Sequence, residues 1–292
     1  MGGRQGELAG MPRRLYPCTP TRLGTWLDCP RRYRFAYLDR PRPPKGPPWA
    51  HNALGAAVHV ALAWWWTQPF AARVPSRAAA RLRADWNPES FAQQGFRDAA
   101  QSRAVRERAA VWVQDYLVGV DPAAEPVGVE RTVSSPTRTL VLSGRVDRVD
   151  DRPGDGLVVV DYKTGRRPPQ ESDVRSSLAL AIYAVAVTRT MRRPCRRVEL
   201  HHLPSGGVVA AAHDEESLRR KVSEAESIAA DASRADARYA DGDRGDDRFP
   251  PQPSNLCSWC DWRAHCREGQ AAAPQVEPWA SVCAAELGQQ LG

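Results

Sequence analysis

Lysine is almost missing from this chain. Of its 41 basic residues, three are Lys (Lys45, Lys163 and Lys221) and 38 are Arg. A chain that takes Arg nearly everywhere implies a specific demand wherever it keeps a Lys. A compact ammonium can approach a bound water and shift its pKa, which a planar, permanently charged guanidinium cannot do. Long apolar runs are also missing. The longest, at 61–66 and 179–187, fall well short of the roughly 20 residues of a membrane span. The N-terminus, MGGRQGELAGMPRR, has no apolar h-region, so a cytoplasmic location without membrane association is expected. No G-x4-G-K-[ST] stretch occurs, which excludes a P-loop motor within the chain. No internal repeat is visible. Seven Cys without a secretion signal argue for metal binding rather than a disulfide framework.

What is present is Arg-borne charge and enough apolar residue for a core. The formal net charge is +7, the pI about 9.2 and the hydrophobic fraction 42%. The excess favours an anionic partner such as nucleic acid. The length of 292 residues suits one large domain with insertions.

Periodicity predicts a helix over 20–38 interrupted at Pro30, a Pro-rich loop at 40–49, and a helix over 52–67. Two helices separated near Pro88 are predicted over 76–118. Residues 127–133, 138–149 and 156–162 then read as a three-strand meander. A buried helix over 172–191 follows, then a strand pair at 197–202 and 207–212 and an amphipathic helix over 214–240. A loop at 241–255 leads into a Cys-rich segment at 256–266. The order gives an α/β core with an N-terminal helical insertion. The expected organisation is a disordered N-terminus at 1–15, one domain over 16–270 and a tail at 271–292. Within the domain lie the helical insertion (52–120), the core (127–212) and the Cys segment (256–266) closing on Cys29.

The stretch GRVDRVDDRPGDGLVVVDYKTG at 144–165 organises the chain. Two strands meet at a turn, one carrying Asp147 and the other Asp161. Lys163 lies two residues beyond Asp161 and so on the same strand face. Two carboxylates and an ammonium at a strand end form a phosphodiesterase-like constellation. The backbone carbonyl of Tyr162 and His59, from the helix over 52–67, are further candidate ligands. Hard oxygens with one imidazole suit Mg²⁺ or Mn²⁺, which would activate a water and neutralise a scissile phosphate. Lys163 would position that water or stabilise the transition state. Glu130 is either a further ligand, a group that orients the ligands, or an ordinary strand-end Glu.

Cys257, Cys260 and Cys266 form C-x2-C-x5-C, three thiolates whose fourth partner must come from afar. Cys29, at the Pro30 break among Arg residues, is the candidate. Spacing alone leaves zinc, with four Cys or with His265 replacing one, and an iron–sulfur cluster equally open. Cys18, Cys195 and Cys283 are expected to be free. Arg31, Arg32, Tyr33 and Arg34, with Arg166 and Arg167, could line a single-strand path by pairing with phosphates and stacking on bases, although solvated charge and core aromatics explain each residue singly.

With LDCPRRYRF at 27–35, GAAVH at 55–59, GRVDRVD at 144–150, DYKTG at 161–165, the helix carrying Tyr183, and NLCSWCDWRAHC at 255–266, the chain resembles the RecB-like branch of the PD-(D/E)XK nucleases. Within it, the chain is similar to the forms with an iron–sulfur staple, such as the AddB C-terminal nuclease. The resemblance implies a restriction-endonuclease-like mixed sheet flanked by helices, with His59, Asp147 and Asp161 as metal ligands and Lys163 as catalytic. It implies a [4Fe–4S] cluster on Cys29, Cys257, Cys260 and Cys266. The implied activity is metal-dependent exonucleolysis of single-stranded or end-containing DNA in recombination or repair, alone or beside a separate helicase or repair protein. Glu130, Tyr183, Arg148 and Arg166 are candidates for supporting the ligands or touching DNA. One position departs from the family: a Gln is usual four residues before the Tyr, and this chain has Ala179. The alternative reading is a non-catalytic DNA-end-binding or assembly subunit on the same fold.

Overall fold

A six-stranded mixed sheet forms the middle layer of the protein, which was analysed as a computed structural model describing residues 15–283. The expected disordered segment 1–15 lies outside the described residues except for its last residue, as does the expected tail from 284 on. In chain order the first elements are β1 (Tyr16–Cys18), α1 (Pro20–Asp28), α2 (Pro30–Tyr33) with a π turn at Arg34–Leu38, and α3 (Ala50–Trp66). They continue with α4 (Pro75–Asp85), α5 (Pro88–Ala92) and α6 (Ala99–Val118), then β2 (Gly128–Pro136), β3 (Leu140–Arg152) and β4 (Gly156–Lys163). The C-terminal part comprises α7 (Glu171–Ser176), α8 (Leu178–Met191), β5 (Cys195–His202), β6 (Gly207–Ala212), α9 (Glu215–Ala240) and α10 (Arg267–Ala272).

The sheet runs β1-β3-β4-β5-β6, with β2 on the other edge of β3. The meander β2-β3-β4 is antiparallel, and β4 and β5 are parallel across the α7–α8 crossover. Strand alternation splits β4 between two cores. Val158, Val160 and Tyr162 join α3, α4 and α6 on one face, while Leu157 and Val159 pack with α8 on the other. Both faces are covered, which is why β4 reads as an unbroken apolar run. Each buried Val or Leu contributes about 1.5–3 kcal/mol.

Four local features differ from the sequence expectation. The 76–118 region folds as three helices, because Pro88 opens a separate short helix capped by Asn87. The 172–191 helix is broken at Ser177, whose extended backbone and side-chain cap on Leu180 N restart it as α8. β1 is an additional strand, parallel to the start of β3; at three residues it has no readable period. Residues 271–283, expected as tail, pack against α3. Pro278 O accepts from Ala50 N at 3.2 Å, and Val282 is 2% exposed. Trp279 and Val282 supply the apolar anchor that the Ala-rich composition conceals.

Candidate active site and cysteine cradle

The C-terminal end of β4 is where the two helical layers part, and the charged residues of 144–165 collect there. Asp147 Oδ2 accepts from Tyr162 N at 2.8 Å, which fixes its carboxylate against the neighbouring strand. His59 reaches in from α3, its Nδ1 3.2 Å from Asp147 Oδ1 and its Nε2 3.2 Å from the Tyr162 carbonyl oxygen. Helix α3 packs close to the end of β4 here, with Gly55 facing Thr164 Oγ1. Both ring nitrogens of His59 face oxygens. Burial alone would lower its pKa, but the hydrogen bond and charge of Asp147, with Asp161 and Glu130 beyond, outweigh it and raise the imidazole above its ordinary value.

Glu130 is more central than its sequence context suggested. His59, Glu130 and Asp147 offer ligand atoms within 4.8 Å of one another, the one such group among the described residues. Glu130 sits in β2 at φ 46°, a left-handed backbone that costs a non-Gly residue about 1–3 kcal/mol and concentrates at functional sites. Its carboxylate pairs with Arg145 at 2.9 Å. Burial, followed by the charge of Asp147, raises its pKa against the pull of Arg145 and His59.

Asp161 lies outside that group. It pairs with Lys163, the nearest opposite charge on its own strand face. Burial, aided by Asp147, raises its carboxyl despite Lys163 and His59. Asp161, Lys163 and Ala179 line one pocket together with Ser177 and Leu180 from the restarted helix. Tyr183 covers the opposite side. A Cβ on Gly144 would fall 2.5 Å from its ring, so the Gly of GRVDRVD is a close-approach position. Burial, then Asp161 and Asp147, push the Tyr183 phenol up to about 12.

Arg148 is enclosed in the core on the α3–α6 side of the sheet. At 4% exposure it lies over Trp66, ion-paired to Asp150 and donating to the hydroxyls of Tyr116 and Tyr162 at 3.0 Å each. Tyr116 in turn meets His201 Nδ1 at 2.9 Å, His201 Nε2 meets Glu199, and Arg152 bridges Glu199 back to Asp150. This buried ring anchors Tyr162 from below while its carbonyl faces the metal pocket.

Most of the expected Arg–aromatic strand path at 31–34 is internal structure, but Arg32, paired with Asp28 at 3.3 Å, is about a third exposed and lines the groove beyond Lys163. Arg31 pairs with Asp246 and Glu268, Arg34 with Asp39 and Asp246, and Tyr33 is fully buried against Asp236. Arg167 pairs with Asp173. Arg166 lines a separate groove beyond Lys163.

Cys29, Cys257, Cys260 and Cys266 line one cavity with Phe35 and Gly269. Backbone N–H groups point at three of the sulfurs: Arg32 N and Gln252 N at Cys29 (3.5 Å each), Ser254 N at Cys257 (3.4 Å) and Gly269 N at Cys266 (3.3 Å). Gly269 packs directly against the sulfurs of Cys266 and Cys257. His265 is outside this lining, its Nε2 3.0 Å from the Pro44 carbonyl oxygen. Cys18 and Cys195 are buried in the apolar cores, and Cys283 stands apart at the edge of the Trp-lined groove; all seven Cys are unpaired.

The model of the PD-(D/E)XK nuclease superfamily matches residues 17–267. The chain belongs to that superfamily. Within the matched range lie the sequence Asp161-Tyr162-Lys163 at the end of β4 and Asp147 on the preceding strand. The mixed sheet flanked by helices agrees with the PD-(D/E)XK fold. Among solved structures, the chain is similar to a protein from Eubacterium rectale named as a candidate exonuclease. The identity is 14%, the TM-score 0.43, and the match covers 85% of this chain and 87% of that one. No curated protein matches. No helix among the described residues is long and apolar enough to cross a membrane.

Proposed function

We propose that this PD-(D/E)XK protein is a metal-dependent DNA exonuclease of the RecB-like branch, acting on single-stranded ends in recombination or repair, alone or with a separate helicase. A single domain over 16–270 would carry the activity. The observation that carries the reading is the convergence of His59, Asp147, Glu130 and the Tyr162 carbonyl beside the Asp161–Lys163 pair. That donor set, hard oxygens plus one imidazole, fits Mg²⁺ or Mn²⁺. His59, Asp147 and Asp161 would hold the ion, with Glu130 as ligand or support.

A divalent ion bound there supplies Lewis-acid polarisation and a water of lowered pKa. The protein's own groups do the rest. Tyr162 N–H locks the Asp147 carboxylate in one rotamer. Lys163, held by Asp161, places an ammonium where negative charge builds on the phosphate oxygens. Hydrolysis adds the water oxygen to phosphorus, breaks a P–O bond and gives a proton to the departing sugar oxygen. Ala179 leaves open the space beside Lys163 that a Gln would occupy, which bears on rate and not on the ligands.

The cysteine cradle is proposed to hold a [4Fe–4S] cluster. Four sulfurs around a shared cavity, with N–H groups directed at them, suit thiolate ligation. Zinc on the same thiolates is the competing assignment. Anaerobic purification should yield a brown protein with equimolar iron and acid-labile sulfide; a colourless protein with stoichiometric zinc would overturn this assignment.

Digestion of end-labelled single and double strands with Mg²⁺ or Mn²⁺ tests the activity. Stepwise shortening of single strands, abolished by chelation, is expected. Wild type inert with both metals yet still binding ends would instead favour a non-catalytic end-binding subunit.

A further inference from the structure

Immediately beyond Lys163 the site pocket opens at Gly165 into a groove of about 970 Å³, at the upper limit of small-ligand sites. Chain segments distant in sequence build its walls, among them the one carrying Trp279 and Val282. Trp49 and His51 come from the start of α3, Trp259 from between Cys257 and Cys260, and Arg108 and Trp112 from α6. The Trp49 and Trp259 rings are 5.1 Å apart, and His51 stands 5.8 Å from Trp259. All three are half-buried, with ring area left facing the groove. The cluster is held by its polar atoms: Trp49 Nε1 donates to Asp261 at 2.9 Å and His51 Nδ1 meets Ser281 Oγ at 3.1 Å.

Arg108 is the anomaly. Nearly every other buried or half-buried Arg here has a carboxylate, but among the described residues Arg108 has none. Its Nη2 donates to the Val282 carbonyl at 2.9 Å and its guanidinium lies 5.5 Å over Trp112, while its buried Nε has no partner. A desolvated guanidinium without a counter-charge is an anion site by charge complementarity. The floor leading to Lys163 is rigid: His202 Nε2 donates to the Gly165 carbonyl at 2.6 Å, and Leu203 N donates to Lys163 O at 3.0 Å.

We propose that this groove carries an unpaired polynucleotide strand, with bases stacking on the Trp49–His51–Trp259 cluster and a phosphate meeting Arg108, so that the strand is presented to Lys163 past Thr164 and Gly165. This rests on the nuclease reading and specifies its substrate as unpaired strand. Stacking requires base faces, which a duplex hides within its own stack, so the aromatic walls select single strands without reading sequence. The cysteine segment takes part directly, because Trp259 and Asp261 flank Cys260 and together fix Trp49.

The test is fluorescence anisotropy of a labelled oligothymidylate and of a blunt duplex with chelator present, beside hydrolysis of the small diester bis(p-nitrophenyl) phosphate by wild type with Mn²⁺. Wild type should bind the single strand more tightly than the duplex. Trp259→Ala should weaken single-strand binding about 10- to 100-fold, and Trp259→Phe much less. Arg108→Ala, outside the Cys29–Cys257–Cys260–Cys266 cradle, should weaken it and reduce the salt slope by about one. Duplex preference in wild type, or unchanged affinity in both Trp259→Ala and Arg108→Ala, overturns the groove assignment. Failure of wild type to hydrolyse the diester while these binding losses appear would instead sink the nuclease reading and leave the groove standing.

Discussion

The metal pocket and the cysteine cradle are built in opposite ways. The pocket is assembled by the regular core: Asp147 and Asp161 sit on paired strands, His59 on a 17-residue helix, and hydrogen bonds fix them before any ion is bound. The cradle hangs on short turns at Asn255–Trp259 and Arg263–His265 and draws its fourth cysteine from residue 29. The first is held by the fold; the second, with the cluster proposed for it, would hold the fold. Chemistry and stability should therefore separate cleanly between the two.

Lys163→Ala offers the largest contrast. Strand hydrolysis should fall about 10²- to 10³-fold, because one donor to developing charge is lost. Thermal stability should change little, since Lys163 is half exposed. Comparable losses in both would mean that the pocket is not preformed. Cys257→Ala should do the reverse, lowering the unfolding midpoint by about 10 °C through loss of the tie between chain ends. Retained stability by calorimetry would contradict the staple.

Glu199→Gln probes the ring beneath Tyr162. Burial would raise the Glu199 carboxyl, but hydrogen bonds from His201, Arg152 and Arg197 drive it well below the ordinary carboxylate range. A depressed carboxyl stabilises the fold above its unfolded value of about 4.3 and loses that contribution as pH falls. Wild type should therefore weaken in acid more steeply than the variant. The variant should cost about 2 kcal/mol near neutrality in urea, below the 3–5 of fully buried pairs because both Arg are about a third exposed. Parallel pH profiles would remove Glu199 from this role. The smallest effect is expected for Glu130→Gln, about 10-fold weaker Mn²⁺ affinity; unchanged affinity would leave Glu130 a partner of Arg145 alone.

The same contrast explains what could be read in the sequence. Features set by local pattern were legible: the meander, the shared face of Asp161 and Lys163, and the spacing of three cysteines. Of the features set by long-range contact, His59 and Cys29 were legible through the family resemblance and the rest were not. The weight of Glu130 depends on a left-handed residue placed across from Asp147, and a lone strand-end Glu gives no hint of it. Arg148 reads as available charge until Asp150, Tyr116 and Tyr162 enclose it. Arg31 looked like part of a nucleic-acid surface because its acidic partners lie more than 200 residues away at Asp246 and Glu268. The groove aromatics come from segments that no motif joins. A residual signal did exist there, in the Trp placed between two cysteines.

The central claim is that His59, Asp147 and Asp161, supported by Glu130, form one divalent-ion site. Isothermal titration of Mn²⁺ into wild type and Asp147→Ala tests it most directly. One ion per wild-type chain is expected, with loss of that binding in the variant. No Mn²⁺ binding by wild type, or equal binding by both proteins, would contradict it.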